Sequence, residues 1–159
     1  MRIYNNTELV FLNTFWENVD YRKFDDRSYE FAVLINNEMG ITTKLLDWFE
    51  IYTRETLIHK EHNLIIHKYG IGDYFDKHID AVERNHKNRA YVVGFHINDE
   101  YDGGEYILYN PNEIIDKTPG VPYCFKSNRL HEITKIKNGI RKSALIFINH
   151  EDLVKKNLL

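Results

Sequence analysis

Three of the eight histidines in this 159-residue chain stand two positions before a carboxylate, in His59-Lys60-Glu61, His78-Ile79-Asp80 and His150-Glu151-Asp152. An imidazole nitrogen and a carboxylate oxygen are ordinary ligands for a divalent transition metal. With 24 Asp and Glu in the chain, about one such match arises by chance, so spacing alone selects none of them. Position does. In an extended chain the side chains at i and i+2 point the same way, so His78 and Asp80 can leave the end of a strand together and converge on one ion. His59 ends a predicted helix, where that separation splays the two side chains, and His150 has no histidine downstream. His78 and Asp80 have a third partner available in His131, at the start of the strand-like "LHEITKI".

Ten residues beyond His131 stands Arg141, with Ser143 two further on. A guanidinium and a hydroxyl on one strand face form a clamp for a carboxylate, because Arg supplies two parallel charge-assisted hydrogen bonds. Two imidazoles and one carboxylate on one face of a metal leave adjacent positions for a chelating cosubstrate and a gas, the arrangement of a non-haem iron(II) facial triad. The pairing makes a geometric demand if "LHEITKI" and "IRKSALIFIN" form a hairpin. A two-residue turn at Asn138-Gly139 would put Arg141 and Ser143 on the face opposite His131. A three-residue loop, Lys137-Asn138-Gly139 with Gly139 left-handed and bulged, would put them on the same face, and this is the loop expected.

The elements that must position these residues follow from periodicity. Leu9, Leu12, Trp16 and Val19 recur at helical spacing in "TELVFLNTFWENV", and "SYEFAVLIN" reads as a strand. A second helix follows Gly40 through "ITTKLLDWFEIYTRETLIHK", with Thr42 or Thr43 as its N-cap and Leu45, Trp48 or Phe49, and Tyr52 on one face. From residue 63 the pattern changes to short strands: "NLIIHKY", "FDKHID", "AYVVGFHIN", "EYILYN", "VPYCFK", "LHEITKI" and "IRKSALIFIN". Turn signals at Asp102-Gly103-Gly104, Pro119-Gly120 and Asn138-Gly139 separate them. Helices at the N-terminal end and strands thereafter predict an antiparallel sandwich or jelly roll backed by helices. No repeat or linker divides the chain, so one domain over residues 1–159 is expected, with 1–62 as support and 63–149 as the core.

Composition narrows the function. Twenty-one basic and 24 acidic residues give a formal charge of −3 with no block of one sign, which disfavours a protein that holds nucleic acid by charge. The single cysteine, Cys124, cannot form an internal disulfide and reads as a strand residue in a reducing compartment. No signal-peptide pattern or apolar run of membrane length is present, so a cytoplasmic protein is expected.

Taken in order, "YGIGDYFDKHID", "RAYVVGFHINDEYDGGE" and "RLHEITKIKNGIRKS" resemble the Fe(II)/2-oxoglutarate-dependent dioxygenase superfamily, and within it the prolyl 4-hydroxylase-like branch. The resemblance spans residues 63–149 and implies a mainly β, α+β fold with a double-stranded β-helix (jelly roll, cupin-like) core packed by N-terminal helices. It implies Fe(II) held by His78, Asp80 and His131, and 2-oxoglutarate held at its distal carboxylate by Arg141, Ser143 and Tyr69. O2 is the second cosubstrate and ascorbate an optional reductant. The Gly-Gly turn of residues 98–105 would be structural. The reaction implied is hydroxylation of a C–H bond with release of succinate and CO2. Asp80 favours hydroxylation, since halogenating relatives lack this carboxylate. Arg141 departs from the Lys usual in collagen-type prolyl 4-hydroxylases, which leaves the prolyl substrate open.

A peptidyl or protein side chain such as proline is the first expected substrate, with a small molecule or free amino acid as the alternative. A non-catalytic jelly-roll binding module and a cupin-like metal protein without 2-oxoglutarate are rivals of other classes. The loop Ala81–Arg89, with Arg84, His86, Lys87 and Arg89, reads equally as a substrate lid and as a solvated loop. His67 and His96 read as sheet histidines, and Trp16 and Trp48 as core.

Overall fold

A computed structural model describes residues 1–23, 28–34, 37–81 and 87–156. In chain order its elements are α1 (Asn6–Glu17), β1 (Glu30–Leu34), α2 (Ile41–Thr53), β2 (Leu64–Tyr69), β3 (Phe75–His78), β4 (Arg89–His96), β5 (Tyr101–Gly103), β6 (Tyr106–Leu108), β7 (Glu113–Ile114), β8 (Pro122–Lys126), β9 (His131–Ile133), β10 (Ile136–Gly139) and β11 (Arg141–Asn149). A 3₁₀ turn, His150–Asp152, follows β11.

Alternation with a period of two sorts the strands into faces. In β11, Ala144, Ile146 and Ile148 join one apolar cluster while Arg141, Ser143 and Leu145 point the other way. Strand β2 repeats the division with Leu64 and Ile66 against Tyr69. These strands belong to a five-stranded sheet of order β1-β2-β11-β4-β8, in which each adjacent pair is antiparallel. One face is covered by α1 and α2, through Leu9, Leu12, Trp16, Leu45, Leu46 and Phe49. The other faces a four-stranded sheet of order β3-β9-β6-β7, with an aromatic-rich core of Tyr69, Tyr106, Tyr123 and Phe125 between the two. Strands β5 and β10 form a separate pair. The described residues thus form the jelly-roll sandwich backed by helices that the periodicity predicts.

Local chemistry sets the ends of the helices. Asn5 caps α1 by accepting the Glu8 N–H at 2.9 Å while Glu8 accepts the Asn5 N–H at 3.1 Å, a reciprocal capping box. Helix α2 differs from expectation at both ends. Its cap is the left-handed Gly40, with Thr42 and Thr43 already inside the helix, and it stops at Thr53 because Arg54 turns left-handed. His59 therefore lies six residues beyond the helix. Trp16 is core as expected, whereas Trp48 is only partly buried and stacks on the exposed Tyr52 at 4.7 Å. Cys124 faces α2 from β8, and burial pushes its thiol up to about 12.

The expected hairpin between "LHEITKI" and "IRKSALIFIN" is not formed. Strand β9 pairs with β3 and β6, β11 pairs with β2 and β4, and β10 crosses between the sheets while pairing with β5. Gly139 is left-handed as expected (φ +76°), but the cause is close approach to β5. A Cβ there would lie 2.5 Å from the Glu100 carbonyl oxygen. His131, Arg141 and Ser143 face one interior from opposite sheets rather than one face of a hairpin. Of the Ala81–Arg89 loop, residues 82–86, including Arg84 and His86, lie outside the described residues.

Candidate active site

Strands β3 and β9 bring the two histidines together by register, since His78 and His131 are direct cross-strand partners and their rings are 4.1 Å apart. Asp80 follows one turn of chain after β3, where the Ala81 N–H is held by the Ser127 carbonyl at 3.1 Å. Its Oδ1 lies 3.2 Å from His78 Nε2 and its Oδ2 lies 3.5 Å from His131 Nε2. One donor atom from each residue falls within 4.8 Å of the others.

The orientation of both rings has a main-chain cause. His78 Nδ1 donates to the Asp76 carbonyl at 2.6 Å and His131 Nδ1 donates to the Arg129 carbonyl at 2.8 Å. Holding the proton on Nδ1 leaves each Nε2 lone pair directed at the space beside Asp80, as metal-binding histidines require. Burial raises the Asp80 carboxyl, but His78, His131 and Arg89 outweigh it and hold it below its ordinary value. Burial also lowers His131, partly offset by Asp80. The set is one carboxylate and two imidazoles, with His131 almost fully enclosed, which suits a divalent iron-type ion.

The second group of predicted residues meets on the opposite sheet. Arg141 is 0 % exposed, and among the described residues no carboxylate pairs with it. Its Nη1 donates to Ser143 Oγ at 3.0 Å and its Nη2 to His96 Nε2 at 3.2 Å, while Nε has no partner. Tyr69 stands directly across β2/β11 from Arg141, with the guanidinium 5.1 Å from its ring centre. Tyr106 lies on the other side at 5.5 Å. A buried cation without a counter-charge is costly, and a carboxylate is the ligand that would relieve it. Burial pushes the phenols of Tyr101, Tyr106 and Tyr123 up, so all three remain hydrogen-bond donors. A cavity of about 380 Å³ opens at this end, lined by His96, Tyr101, Tyr106 and Lys117 among others.

His96 is a residue that sequence reasoning placed in the sheet without a role. Burial, then Arg141 and Lys117, hold it well below its ordinary value, so it is neutral and its Nε2 can accept from Arg141. The signal was the cross-strand pair Ser143 and His96, which exists only once β4 is set beside β11. His67, the direct cross-strand partner of Ser143 on the β2 side, packs against the Tyr29 ring at 5.0 Å.

Residues 64–149, more than half of the chain, match the 2OG-Fe(II) oxygenase superfamily, and the chain belongs to that superfamily. It is a 2-oxoglutarate- and Fe(II)-dependent oxygenase. No curated protein matches the sequence. Among solved structures, a prolyl-4-hydroxylase from Pseudomonas putida is similar with a TM-score of 0.74 and 14% identity, over 94% of this chain and 90% of that one. A 2OG-Fe(II) oxygenase-family oxidoreductase from Burkholderia pseudomallei gives 0.72 and 13%, over 96% and 82%. A prolyl hydroxylase from Trichoplax adhaerens, solved with a hypoxia inducible factor peptide fragment, gives 0.67 and 18%, over 92% and 79%. At these identities the likeness is one of fold. No helix among the described residues is long and apolar enough to cross a membrane.

Proposed function

We propose that the protein hydroxylates a C–H bond on a peptidyl or protein side chain such as proline, with His78, Asp80 and His131 as the Fe(II) ligands and Arg141, Ser143 and Tyr69 as the seat of the 2-oxoglutarate distal carboxylate. Residues 1–159 act as one cytoplasmic catalytic domain in this reading, with 63–149 as its core and 1–62 as support. The observation that carries it is the convergence of His78, Asp80 and His131 within 4.8 Å, facing the buried Arg141 from the opposite sheet. The likeness in fold to prolyl hydroxylases, one of them solved with a peptide, supports a peptidyl substrate.

Iron and 2-oxoglutarate, when bound, supply the oxidising chemistry, with succinate and CO2 as coproducts. The chain's own tasks are geometric and electrostatic. The Asp76 and Arg129 carbonyls hold the proton on Nδ1 of each histidine. Asp80 supplies a negative charge to the metal, and its presence keeps a position that halogenating relatives leave for halide. Arg141 offers a charge-assisted fork and Ser143 a hydroxyl, and the aromatic layer of Tyr106, Tyr123 and Phe125 keeps water from the space between.

The test is an anaerobic titration of apoprotein with Fe(II) and 2-oxoglutarate, following the visible charge-transfer band of the chelate. Wild type develops the band, His78→Ala does not, and Arg141→Ala needs at least tenfold more 2-oxoglutarate. Absence of both the band and iron binding in wild type would sink the assignment. For the substrate, loaded enzyme is incubated with Pro-containing peptides and with free amino acids, and a gain of one oxygen is read by mass spectrometry. Oxidation confined to free amino acids would replace the peptidyl reading.

A further inference from the structure

One phenol inside the sandwich has no partner that explains it. Tyr123 lies on β8, is 8% exposed, and its hydroxyl is buried without a hydrogen bond, a costly state for a polar group. A missing side chain makes room for it. Tyr123 pairs with Gly94 of β4, and a Cβ on Gly94 would lie 2.7 Å from Tyr123 Oη and 2.8 Å from its Cζ. The glycine clears a path along which the phenol reaches from the edge strand β8 towards β11. Packing alone does not require the hydroxyl, because a Phe ring would fill the same space and leave no polar atom unsatisfied.

The cross-strand rows show what the hydroxyl faces. Alternation along β11 puts Arg141, Ser143 and Leu145 on successive rows of the inner face. Ser143 stands beside His96, and Leu145 stands beside Gly94, which in turn stands beside Tyr123. Arg141 leans forward by one row, since Nη1 reaches Ser143 Oγ at 3.0 Å and Nη2 reaches His96 Nε2 at 3.2 Å. Each Nη keeps a further hydrogen for a ligand, and the next row beyond the guanidinium tip is that of Tyr123. The Tyr123 ring lies 5.7 Å from His96 and 5.4 Å from Tyr106, while Phe125, two residues along β8, lies 5.0 Å from the His131 ring. Tyr123 thus stands between the guanidinium and the proposed metal ligands. Burial keeps its phenol protonated, so it can only offer a hydrogen to an anion.

We propose that the Tyr123 hydroxyl donates a hydrogen bond to the distal carboxylate of 2-oxoglutarate, on the flank of β11 opposite Tyr69. This rests on the assignment of Arg141 and Ser143 to that carboxylate. The bound acid supplies the acceptor that the phenol lacks, and the notch at Gly94 becomes part of how the chain selects a cosubstrate with a second carboxylate.

The experiment compares full-length wild type, Tyr123→Phe and Arg141→Ala in the anaerobic titration with Fe(II) and 2-oxoglutarate, alongside thermal unfolding of each apoprotein. Phe keeps the ring over Gly94. Tyr123→Phe raises the 2-oxoglutarate Kd about tenfold, the scale of a hydrogen bond to a charged group, and leaves Fe(II) affinity unaltered. Its apoprotein Tm equals or exceeds that of wild type, because the substitution deletes an unsatisfied buried hydroxyl. An unchanged Kd in Tyr123→Phe, with binding still weakened in Arg141→Ala, overturns this inference and leaves the clamp standing. A raised Kd accompanied by a lower apoprotein Tm also overturns it, since the hydroxyl then serves packing. If wild type binds no 2-oxoglutarate, the clamp and the inference fall together.

Discussion

His96 acts on the proposed carboxylate clamp without being a clamp residue by sequence. Its neutral Nε2 accepts from one guanidinium nitrogen of Arg141 while Ser143 accepts from the other, so the fork is oriented before any carboxylate arrives. His96→Phe removes the acceptor and leaves that nitrogen buried without a partner, which costs about 1–3 kcal/mol. The expected result is about a tenfold rise in the 2-oxoglutarate Kd with Fe(II) affinity unchanged, measured by the charge-transfer titration. His96→Gln, which keeps an acceptor, recovers part of the loss. At this scale the sequence was informative where chemistry is local. His78-x-Asp80 names its own pair, and His131 and Arg141 follow in order. The partners that orient them, the Asp76 and Arg129 carbonyls and His96, depend on ring rotamers and on which strands lie side by side.

The Gly-Gly corner shows what the elements demand of the chain between them. Gly104 has φ +61°, and a Cβ there would lie 2.2 Å from Ile136 Cδ1 and 3.3 Å from Arg141 Cδ. Gly104→Ala is expected to destabilise the protein by about 1–3 kcal/mol, read as a lower midpoint in urea, and to weaken 2-oxoglutarate binding because the displaced atoms touch the clamp. At the capping box of α1, Asn5→Ala should cost about 1 kcal/mol and leave cosubstrate affinity unaltered, since α1 covers the other face of the large sheet. Most elements were legible from periodicity, including both helices and the alternation of β2, β4 and β11. The junction at Lys137–Gly139 was not. Adjacent strands joined by a glycine turn read as a hairpin, and only the pairing of β10 with β5 shows the chain changing sheets. The early end of α2 had no apolar signal, because a left-handed Arg54 carries none in its side chain.

At the scale of the whole molecule, three buried histidines among the described residues share one response to acid. Burial is the first cause lowering His62, His96 and His131 below 6.5. Each is neutral when folded and ready to protonate once unfolded, so the unfolded state binds more protons as pH drops below about 6.5. Stability of the apoprotein should therefore be level above that value and decline beneath it, followed as Tm from pH 8 to pH 5. Saturating metal should steepen the decline, because His131, as a proposed ligand, binds an ion only as the free base and the folded state then takes up still fewer protons. The overall outline was legible, helices first and strands after. The assignment of His131 and Arg141 to different sheets was not, because sequence order says nothing of which sheet a strand joins.

That division has a further consequence. His78 and His131, the proposed metal ligands, hang from β3 and β9 and the guanidinium from β11, so the span between them is the thickness of the sandwich, about 10 Å between facing sheets. The protein is a calliper whose jaws are set by core packing. On the proposed assignment, a shorter or longer 2-oxo diacid is expected to meet one jaw and miss the other, and a cavity cut between them, as in Leu145→Ala, would loosen the gauge without touching either jaw.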